Sequence, residues 1–404
     1  MASFARNAIV LGSLSAVGPF AIDMYLPALP EIGADLNAEP GVVQLSVLAF
    51  FAAVGLCQMI YGPLSDMFGR RRPLFVGMIL YTIGGIGCAL APTIEMLIAM
   101  RFLQGVGACA GMSIPRAVVR DLHTGPDAAR LMSLVMLVFS VSPMLAPMFG
   151  SVISEFVGWR AVFWVLAGLG VMGLTLAVTS LSETRPPEAR IASSWGSAYG
   201  NYGRLLLDRY FLGVSFIGGF GMAAFFSYLT GASFLFIDHF GLSAIEFSVI
   251  FASNAFAFIG TAQLNGYLGR RFGLARVVLA AATAFAGFTM LLLALTLAGG
   301  ENLLVLWFML LISFGCLGLV VPSTLVLALD DYGKIAGTAA SLLGTLQMLL
   351  GAGFTALVSL FADGSPRPMV AAIAVCGAMA ATLAWVTLGP RSGRGGKPIP
   401  APAE

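Results

Sequence analysis

Twelve apolar runs, each long enough to cross a lipid bilayer, constrain the fold of this 404-residue chain more than any other feature. A membrane-spanning helix needs about 20 apolar residues, and continuous rather than alternating runs favour helices over a β-barrel. The sequence therefore predicts an all-α membrane protein with twelve transmembrane helices. The runs cover residues 8–29, 42–61, 73–91, 95–118, 131–154, 161–181, 210–236, 244–267, 274–297, 302–327, 335–361 and 368–388.

The composition excludes several classes of protein. Of the residues, 59% are hydrophobic and only 10% are charged, whereas a soluble chain has about 45–50% apolar and about 25% charged residues. One soluble core cannot hide so much apolar surface, which excludes a soluble enzyme. The net charge of +2 provides no strong field for nucleic acid, so we expect no nucleic-acid partner.

Metal, disulfide and nucleotide chemistry are not expected either. The five cysteines lie singly inside apolar runs, and the chain has two histidines. This pattern supports neither a disulfide framework nor a Cys/His metal site. The sequence has no P-loop motif, which argues against direct use of ATP. We expect no metal and no cofactor.

The distribution of basic residues predicts the orientation in the membrane. Most of the 21 lysines and arginines fall in loops on the same side as the N-terminus, whereas the acidic residues divide evenly. Because cytoplasmic loops carry the excess of Lys and Arg, both termini are predicted to be cytoplasmic. The expected location is the bacterial inner membrane.

The chain divides into two matched halves. The hydrophilic stretch 182–209 separates six spans from six, and the motif at 62–69 after span two recurs at 266–273 after span eight. Two parallel halves suit a transporter that rocks about a midplane site. The predicted organisation is a six-helix bundle at 1–181, a cytoplasmic linker at 182–209, a second bundle at 210–390 and a cytoplasmic tail at 391–404.

The loop after span two carries a family resemblance. Residues 62–74, Gly-Pro-Leu-Ser-Asp-Met-Phe-Gly-Arg-Arg-Arg-Pro-Leu, resemble the signature G-x-L-x-D-x-x-G-R-[KR] of the major facilitator superfamily. Other segments resemble the drug–proton antiporters of the bicyclomycin and chloramphenicol resistance (Bcr/CflA) branch. These segments are 23–30 (DMYLPALP), 101–105 (RFLQG), 116–122 (RAVVRDL), 158–160 (GWR) and 337–344 (GTAASLLG).

The resemblance implies two pseudo-symmetric six-helix bundles and proton-coupled efflux. It assigns span five, with Pro143, Pro147 and Gly150, as the antiporter helix. The sequence departs from the branch pattern G-P-x-x-G-G there, because Ala146 and Ser151 replace two glycines. Both residues are small, so close packing of this helix is still expected.

Asp23 and Arg101 are the candidates for proton coupling. Asp23 lies about 10 Å inside the outer end of span one, from a rise of 1.5 Å per residue. A carboxylate inside the membrane costs at least about 2.5 kcal/mol and usually has a function. Arg101 in span four lies at a similar depth and is the predicted partner, which the resemblance also favours. The alternative is a static buried ion pair between these spans.

The loop signature is predicted to form a conformational latch. Its acid can meet a helix N-terminus of the other half, and its arginines can meet an acid at the end of span four. The positive-inside rule alone explains the arginines, but neither the acid nor the glycines. The predicted latch comprises Gly62, Asp66, Gly69, Arg70, Arg71 and Asp121.

Several aromatic and amide side chains are candidates for a substrate cavity. A cavity for drug-like molecules has aromatic walls and few polar groups. Ordinary helix packing or contact with lipid is the alternative for each of them. The candidates are Tyr25, Gln104, Phe225, Phe226, Tyr228 and Asn254.

The sequence and the resemblance together predict a proton-coupled multidrug efflux transporter that exchanges small, largely apolar compounds for protons. A proton-linked metabolite transporter of the same fold is the alternative, and a non-transporting membrane receptor or enzyme is a further one. The expected partners are the substrate, protons and the bilayer. The two halves can enclose a site in one chain, so a monomer suffices. The choice between proton and sodium coupling stays open.

Overall fold

Helices make up the described part of the computed structural model. The model describes residues 2–123, 125–185, 195–300, 302–361 and 365–389, and no strand forms among them. The predicted tail at 391–404 and residues 186–194 of the predicted linker lie outside these ranges.

Twelve of the described helical segments are long and apolar enough to cross a membrane, which confirms the number predicted. In chain order the helices are α1 (Ala2–Asp23), α2 (Leu29–Asp35), α3 (Pro40–Phe68), α4 (Arg71–Ala89), α5 (Ile94–Leu122), α6 (Gly125–Val157), α7 (Trp159–Thr179), α8 (Trp195–Leu207), α9 (Arg209–Ser233), α10 (Ala244–Ala262), α11 (Asn265–Phe272), α12 (Leu274–Leu297), α13 (Leu303–Leu329), α14 (Ala336–Ser359) and α15 (Arg367–Leu388).

Polar side chains fix where several helices begin. Asp208 accepts hydrogen bonds from the first free N–H groups of α9 at 2.8 and 3.0 Å. Asn302 does the same for α13, and Ser243 forms a capping box with Glu246 at the start of α10. These caps satisfy donors that have no partner inside the helix.

The apolar run 8–29 is continuous in sequence, but the first span is not one continuous helix. Helix α1 ends at Asp23, a 3₁₀ turn follows over Leu26–Ala28, and α2 begins at Leu29. Pro27 and Pro30 explain the break, because neither can donate a helical hydrogen bond. The break places Asp23 at the end of a helix inside the span.

Helix α2 is held by its two acids to the end of α6 and to the start of α7. Glu31 accepts hydrogen bonds from the Trp159 backbone N–H, at 3.3 Å, and from the Ser154 hydroxyl. Asp35 accepts from the Trp159 indole at 3.1 Å and pairs with Arg160 at 2.5 Å. These contacts anchor the chain just beyond Asp23. We call this end of the bundle the Glu31 end, and the end with the α3–α4 connection the Arg70 end.

Helices α3 and α14 pack closely along the middle of the bundle. The Thr345 hydroxyl donates to the Gly55 carbonyl at 3.0 Å. One turn nearer the Glu31 end, Phe51 stacks on Phe226 of α9, with ring centroids 3.9 Å apart and an interplanar angle of 12°. A Cβ at Gly351 would overlap the Phe226 ring, so only glycine fits behind this stack. Together these contacts close the centre of the molecule.

Gly351→Ala should destabilise the protein, because the added methyl group overlaps the buried Phe226 ring. Overpacking of this kind costs about 1–3 kcal/mol. The midpoint of thermal unfolding of purified protein in detergent measures the effect. Gly353→Ala is the matched control, since a Cβ there meets no atom within 4 Å. Equal midpoints for the two variants would contradict the packing described.

Candidate functional site

Asp23 is a buried acid at the C-terminal end of α1. Its exposed fraction is 3%, and no hydrogen bond or ion pair of its carboxylate occurs among the described residues. The C-terminal end of a helix carries partial negative charge, which adds to the cost of a carboxylate there. The described contacts therefore do not offset the cost of a charged carboxylate at this position.

Arg101 on α5 lies in an aromatic cage. It is fully buried, and its guanidinium lies 4.1 Å from the Tyr25 ring centroid and 4.4 Å from that of Phe50. Its Nη1 donates to the Ala21 carbonyl at 3.0 Å and to Gln104 Oε1 at 2.7 Å. Cation–π contacts and these acceptors take the place of water around the charge.

The predicted ion pair between Asp23 and Arg101 is absent from the described contacts. The reason is that Arg101 is stabilised by aromatic rings and by a carbonyl of α1 instead of the carboxylate. The cage still holds unused donors: Arg101 Nε and Nη2 and Gln104 Nε2 are buried without a partner in the described structure. Such donors can receive an anionic acceptor that moves into the cage.

The aromatic candidates of the second half form a packed cluster. Phe226, Tyr228 and Asn254 are buried, and Phe225 is half-buried. Asn254 donates to the Tyr228 hydroxyl at 2.9 Å. Tyr228 also packs edge-on against Phe314, with centroids 4.8 Å apart. These contacts hold the rings against one another in the second half of the chain.

An open cavity lies elsewhere, at the Arg70 end between α3, α5, α8 and α14. Its volume is about 540 Å³, within the range of about 300–1,000 Å³ that is usual for small-molecule sites. The side chains that form its floor and rim are mostly polar. They include Gln58, Tyr61, Asp66, Arg70, Ser113, Arg120, Asp121 and Ser341.

The residues predicted for the cavity walls lie outside this cavity, and their assignment to a substrate cavity stays a prediction. None of the six predicted residues, Tyr25, Gln104, Phe225, Phe226, Tyr228 and Asn254, lines the cavity. They lie nearer the Glu31 end, where the halves are packed together. Sequence reasoning missed Gln58 and Tyr61, although two polar groups three residues apart in an apolar helix are a readable signal.

The cluster around Arg70 forms the rim of this cavity. Arg70 pairs with Asp66 at 2.7 Å and with Asp121 at 2.8 Å, and its backbone N–H donates to Glu183 at 2.9 Å. Burial alone would lower the pKa of Arg70, but hydrogen bonding to Asp121 and the charge of Asp66 hold that pKa above its usual range.

The described contacts include only part of the predicted latch, which stays a prediction. The contact between Arg70 and Asp121 forms as expected, and Arg71 donates to Glu183 and to the Val178 carbonyl. Asp66, however, pairs with Arg70 and with Arg185 rather than with a helix of the other half. The open cavity separates Asp66 from the first turn of α14.

Two glycines of the latch motif differ in their surroundings. Gly69 has a φ of +87°, a backbone conformation that suits glycine and ends α3. A Cβ added at Gly62 would lie 3.6 Å from the Ser341 hydroxyl on α14, which is an ordinary van der Waals distance.

Helix α6, to which the resemblance assigns the antiporter motif, contacts the chain next to Asp23. Helix α6 contains Pro143 and Pro147. A Cβ at Gly150 would overlap the Met24 carbonyl, so glycine is required for this approach. The Pro147 carbonyl accepts a hydrogen bond from Ser248 of α10 at 3.1 Å. Helix α6 thus touches both the end of α1 and the other half.

The fold and this site define a polytopic transporter rather than an enzyme. Residues 11–356 match the family model of the Major Facilitator Superfamily, and the chain belongs to that family. It is a multi-pass bacterial membrane protein with the major facilitator fold.

The relatives agree with the resemblance to the Bcr/CflA branch. The chain is 39% identical to an uncharacterised MFS-type transporter, YdgK, of Bacillus subtilis over 87% of this chain and 88% of the relative. It is 29% identical to a bicyclomycin resistance protein homolog of Haemophilus influenzae, over 91% and 92% of the two chains. It is also 29% identical to multidrug resistance protein D of Escherichia coli, over 97% and 98%.

A solved structure shows the same fold at low identity. The xylose transporter XylE of E. coli, in a partially occluded inward open conformation, superposes with a TM-score of 0.75 at 13% identity. The match covers 99% of this chain and 100% of XylE. At this identity the likeness concerns the fold alone.

Arg70→Gln should lower the thermal stability of the protein, because it leaves Asp66 and Asp121 without their shared partner. The cluster is partly exposed, so we expect a loss of about 1–2 kcal/mol rather than the full cost of a buried pair. Thermal unfolding in detergent measures it. Arg72→Gln is the control, since Arg72 is exposed and makes no hydrogen bond or ion pair among the described residues. An equal effect of both variants would contradict the role of the cluster.

Proposed function

We propose that the protein exports small, largely apolar drug-like molecules in exchange for protons by alternating access. The observation that carries the proposal is Asp23, a buried carboxyl group inside a membrane span with no ion pair among the described residues. The names of the relatives, which refer to bicyclomycin and multidrug resistance, support the drug-efflux part.

Protonation of Asp23 is the proposed coupling step. A neutral Asp23 is compatible with its buried position, whereas a charged one needs water or donors around it. When the proton leaves, the carboxylate moves toward the unused donors of Arg101 and Gln104. The charged and neutral forms of Asp23 then favour different arrangements of α1 and α5, and this difference in affinity shifts the two-state equilibrium.

The substrate binds on the Arg70 side in the conformation described. The cavity is open at that end, while Phe51 and Phe226 close the centre. Rocking of the two halves about the α3–α14 and α6–α10 contacts then opens the Glu31 end. A membrane potential of 100 mV adds about 2.3 kcal/mol for each charge moved, which suffices to drive export without ATP.

The latch contributes to this cycle at the Arg70 end. When the cavity closes, Asp66 approaches the first turn of α14, where the positive end of the helix dipole stabilises an acid. The Arg70 cluster keeps Asp66 in place in the open form.

The distribution of basic residues gives the proposed orientation: the Arg70 end faces the cytoplasm of a bacterial cell, and both termini are cytoplasmic. The protein works as a monomer in the inner membrane.

A proton-linked metabolite transporter is the second candidate. The polar floor of the cavity favours it, because metabolites carry more hydrogen-bonding groups than typical drugs. Expression in an efflux-deficient bacterium, tested against a broad panel of toxic compounds, separates the two. Raised tolerance to some compounds supports export of drugs. Unchanged tolerance to all of them favours a metabolite transporter.

Asp23→Asn should abolish proton-driven export while the protein still folds, because the amide cannot load or release a proton. Inverted vesicles report both activities: drug accumulation under an imposed proton gradient, and dissipation of that gradient on addition of drug. We expect at least a tenfold loss of both, since coupling groups act in every cycle. A sodium gradient applied in place of the proton gradient identifies the coupling ion.

Asp127→Asn is the matched control, since Asp127 is an exposed acid in the first turn of α6. It should leave both activities unchanged. The coupling role of Asp23 is wrong if Asp23→Asn, expressed at an equal level, still exports drug and still dissipates the proton gradient.

A further inference from the structure

The turn between α11 and α12 repeats the turn between α3 and α4 but carries different charges. Gly69 and Gly273 occupy the same place in the two turns, with φ of +87° and +86°. A shift of 204 residues aligns the two segments and places Arg270 at the position of Asp66. The second half therefore keeps the backbone of the turn and replaces the acid of the first half with a base.

The arginines of the second turn have no acid to pair with. Arg270, Arg271 and Arg276 are exposed, and they form no ion pair with any described residue. The sequence has no aspartate or glutamate between Glu246 and Glu301, so neither α11 nor α12 can supply a partner. A basic surface without acids attracts anions.

Aromatic side chains of α11 lie beside these charges. Tyr267 and Phe272 are 55% and 50% exposed, and no residue of α11 is buried. Arg271 Nη1 donates to the Tyr267 hydroxyl at 2.9 Å, and the guanidinium lies 5.3 Å from the Phe272 ring centroid. The contacts hold the guanidinium next to two exposed rings, a combination that is typical of the boundary between lipid and water.

The position of α11 indicates which anion covers this surface. Helices α10 and α11 together form one candidate membrane span, Ala244–Phe272, so the arginines lie where the span leaves the apolar part of the bilayer. Phospholipid headgroups lie at this boundary, and their phosphate oxygens match guanidinium donors. A free phosphate ion would contact the arginines but would leave the exposed rings in water, so the surface suits a lipid better.

We propose that Arg270, Arg271 and Arg276, together with Tyr267 and Phe272, bind the headgroup of an anionic phospholipid. The guanidinium groups donate hydrogen bonds to the phosphate oxygens, and the two rings pack against the apolar part of the same lipid. None of these residues lines the cavity at the Arg70 end. The site is thus separate from the proposed transport site and does not depend on the proposed function.

Native mass spectrometry of delipidated protein in detergent tests the site by counting the lipids that bind. The probes are phosphatidylglycerol, phosphatidylethanolamine with the same acyl chains, and soluble glycerol 3-phosphate. We expect phosphatidylglycerol to bind about tenfold more tightly than phosphatidylethanolamine, because its net negative charge meets unpaired arginines. Glycerol 3-phosphate at the concentration of the lipid should not displace phosphatidylglycerol, since it lacks the chains that contact the rings.

Variants assign the preference to the residues. Arg270→Gln with Arg271→Gln should reduce the tenfold preference to about twofold or less. Tyr267→Phe removes the hydroxyl that positions Arg271 and should reduce the preference by about threefold, so it carries the test if the double variant fails to fold. Arg6→Gln with Arg72→Gln is the matched control. It removes two exposed arginines of the first half that also form no ion pair among the described residues, and it should keep the preference of the wild type.

Four results would overturn the inference: equal binding of the two lipids, displacement by glycerol 3-phosphate, an unchanged preference in both the double variant and Tyr267→Phe, or an equal loss in the control. Displacement would indicate a site for free phosphate, and an equal loss would indicate a general effect of surface charge. The measurement uses neither a drug nor a proton gradient, so the lipid site and the export mechanism can fail separately.

Discussion

The cost of a charge inside the bilayer governs the arrangement of this protein. Arg101 meets that cost with two aromatic faces, a backbone carbonyl and Gln104, so the guanidinium needs no carboxylate beside it. Asp23 has no such support at the end of α1, and its neutral form is the one that suits the site. A buried arginine and a buried acid without an ion pair among the described residues thus lie in neighbouring helices, and the proposed proton coupling rests on this arrangement.

The surrounding structure holds this pair in place and leaves the other end free. Glu31 and Asp35 fix the chain beyond Asp23 to α7, and Gly150 lets α6 approach the Met24 carbonyl. The Phe51–Phe226 stack closes the centre. At the Arg70 end the halves separate around a cavity whose floor is polar. Gln58 and its neighbours line this cavity, whereas the aromatic residues predicted for a substrate cavity lie toward the Glu31 end.

The sequence predicts the twelve spans well, because apolar length alone determines whether a helix can cross a bilayer. The break after Asp23 is also readable, from Pro27 and Pro30. The surroundings of Arg101 could not be predicted, because Tyr25 in the break after α1 and Phe50 in α3 are brought to it only by the tertiary fold. The cavity could not be predicted either, because its position depends on how far α3 and α14 separate at one end. The expectation that a drug cavity has aromatic walls pointed instead to residues whose side chains pack against each other.

The most direct test of the central claim is the proton released when an exported compound binds to purified protein in weakly buffered solution. The account predicts that wild-type protein releases protons on binding, because substrate and a protonated Asp23 favour different states. Asp23→Asn should bind the same compound without release. Equal release from both proteins, or none from the wild type, would contradict the assignment of Asp23 as the coupling group.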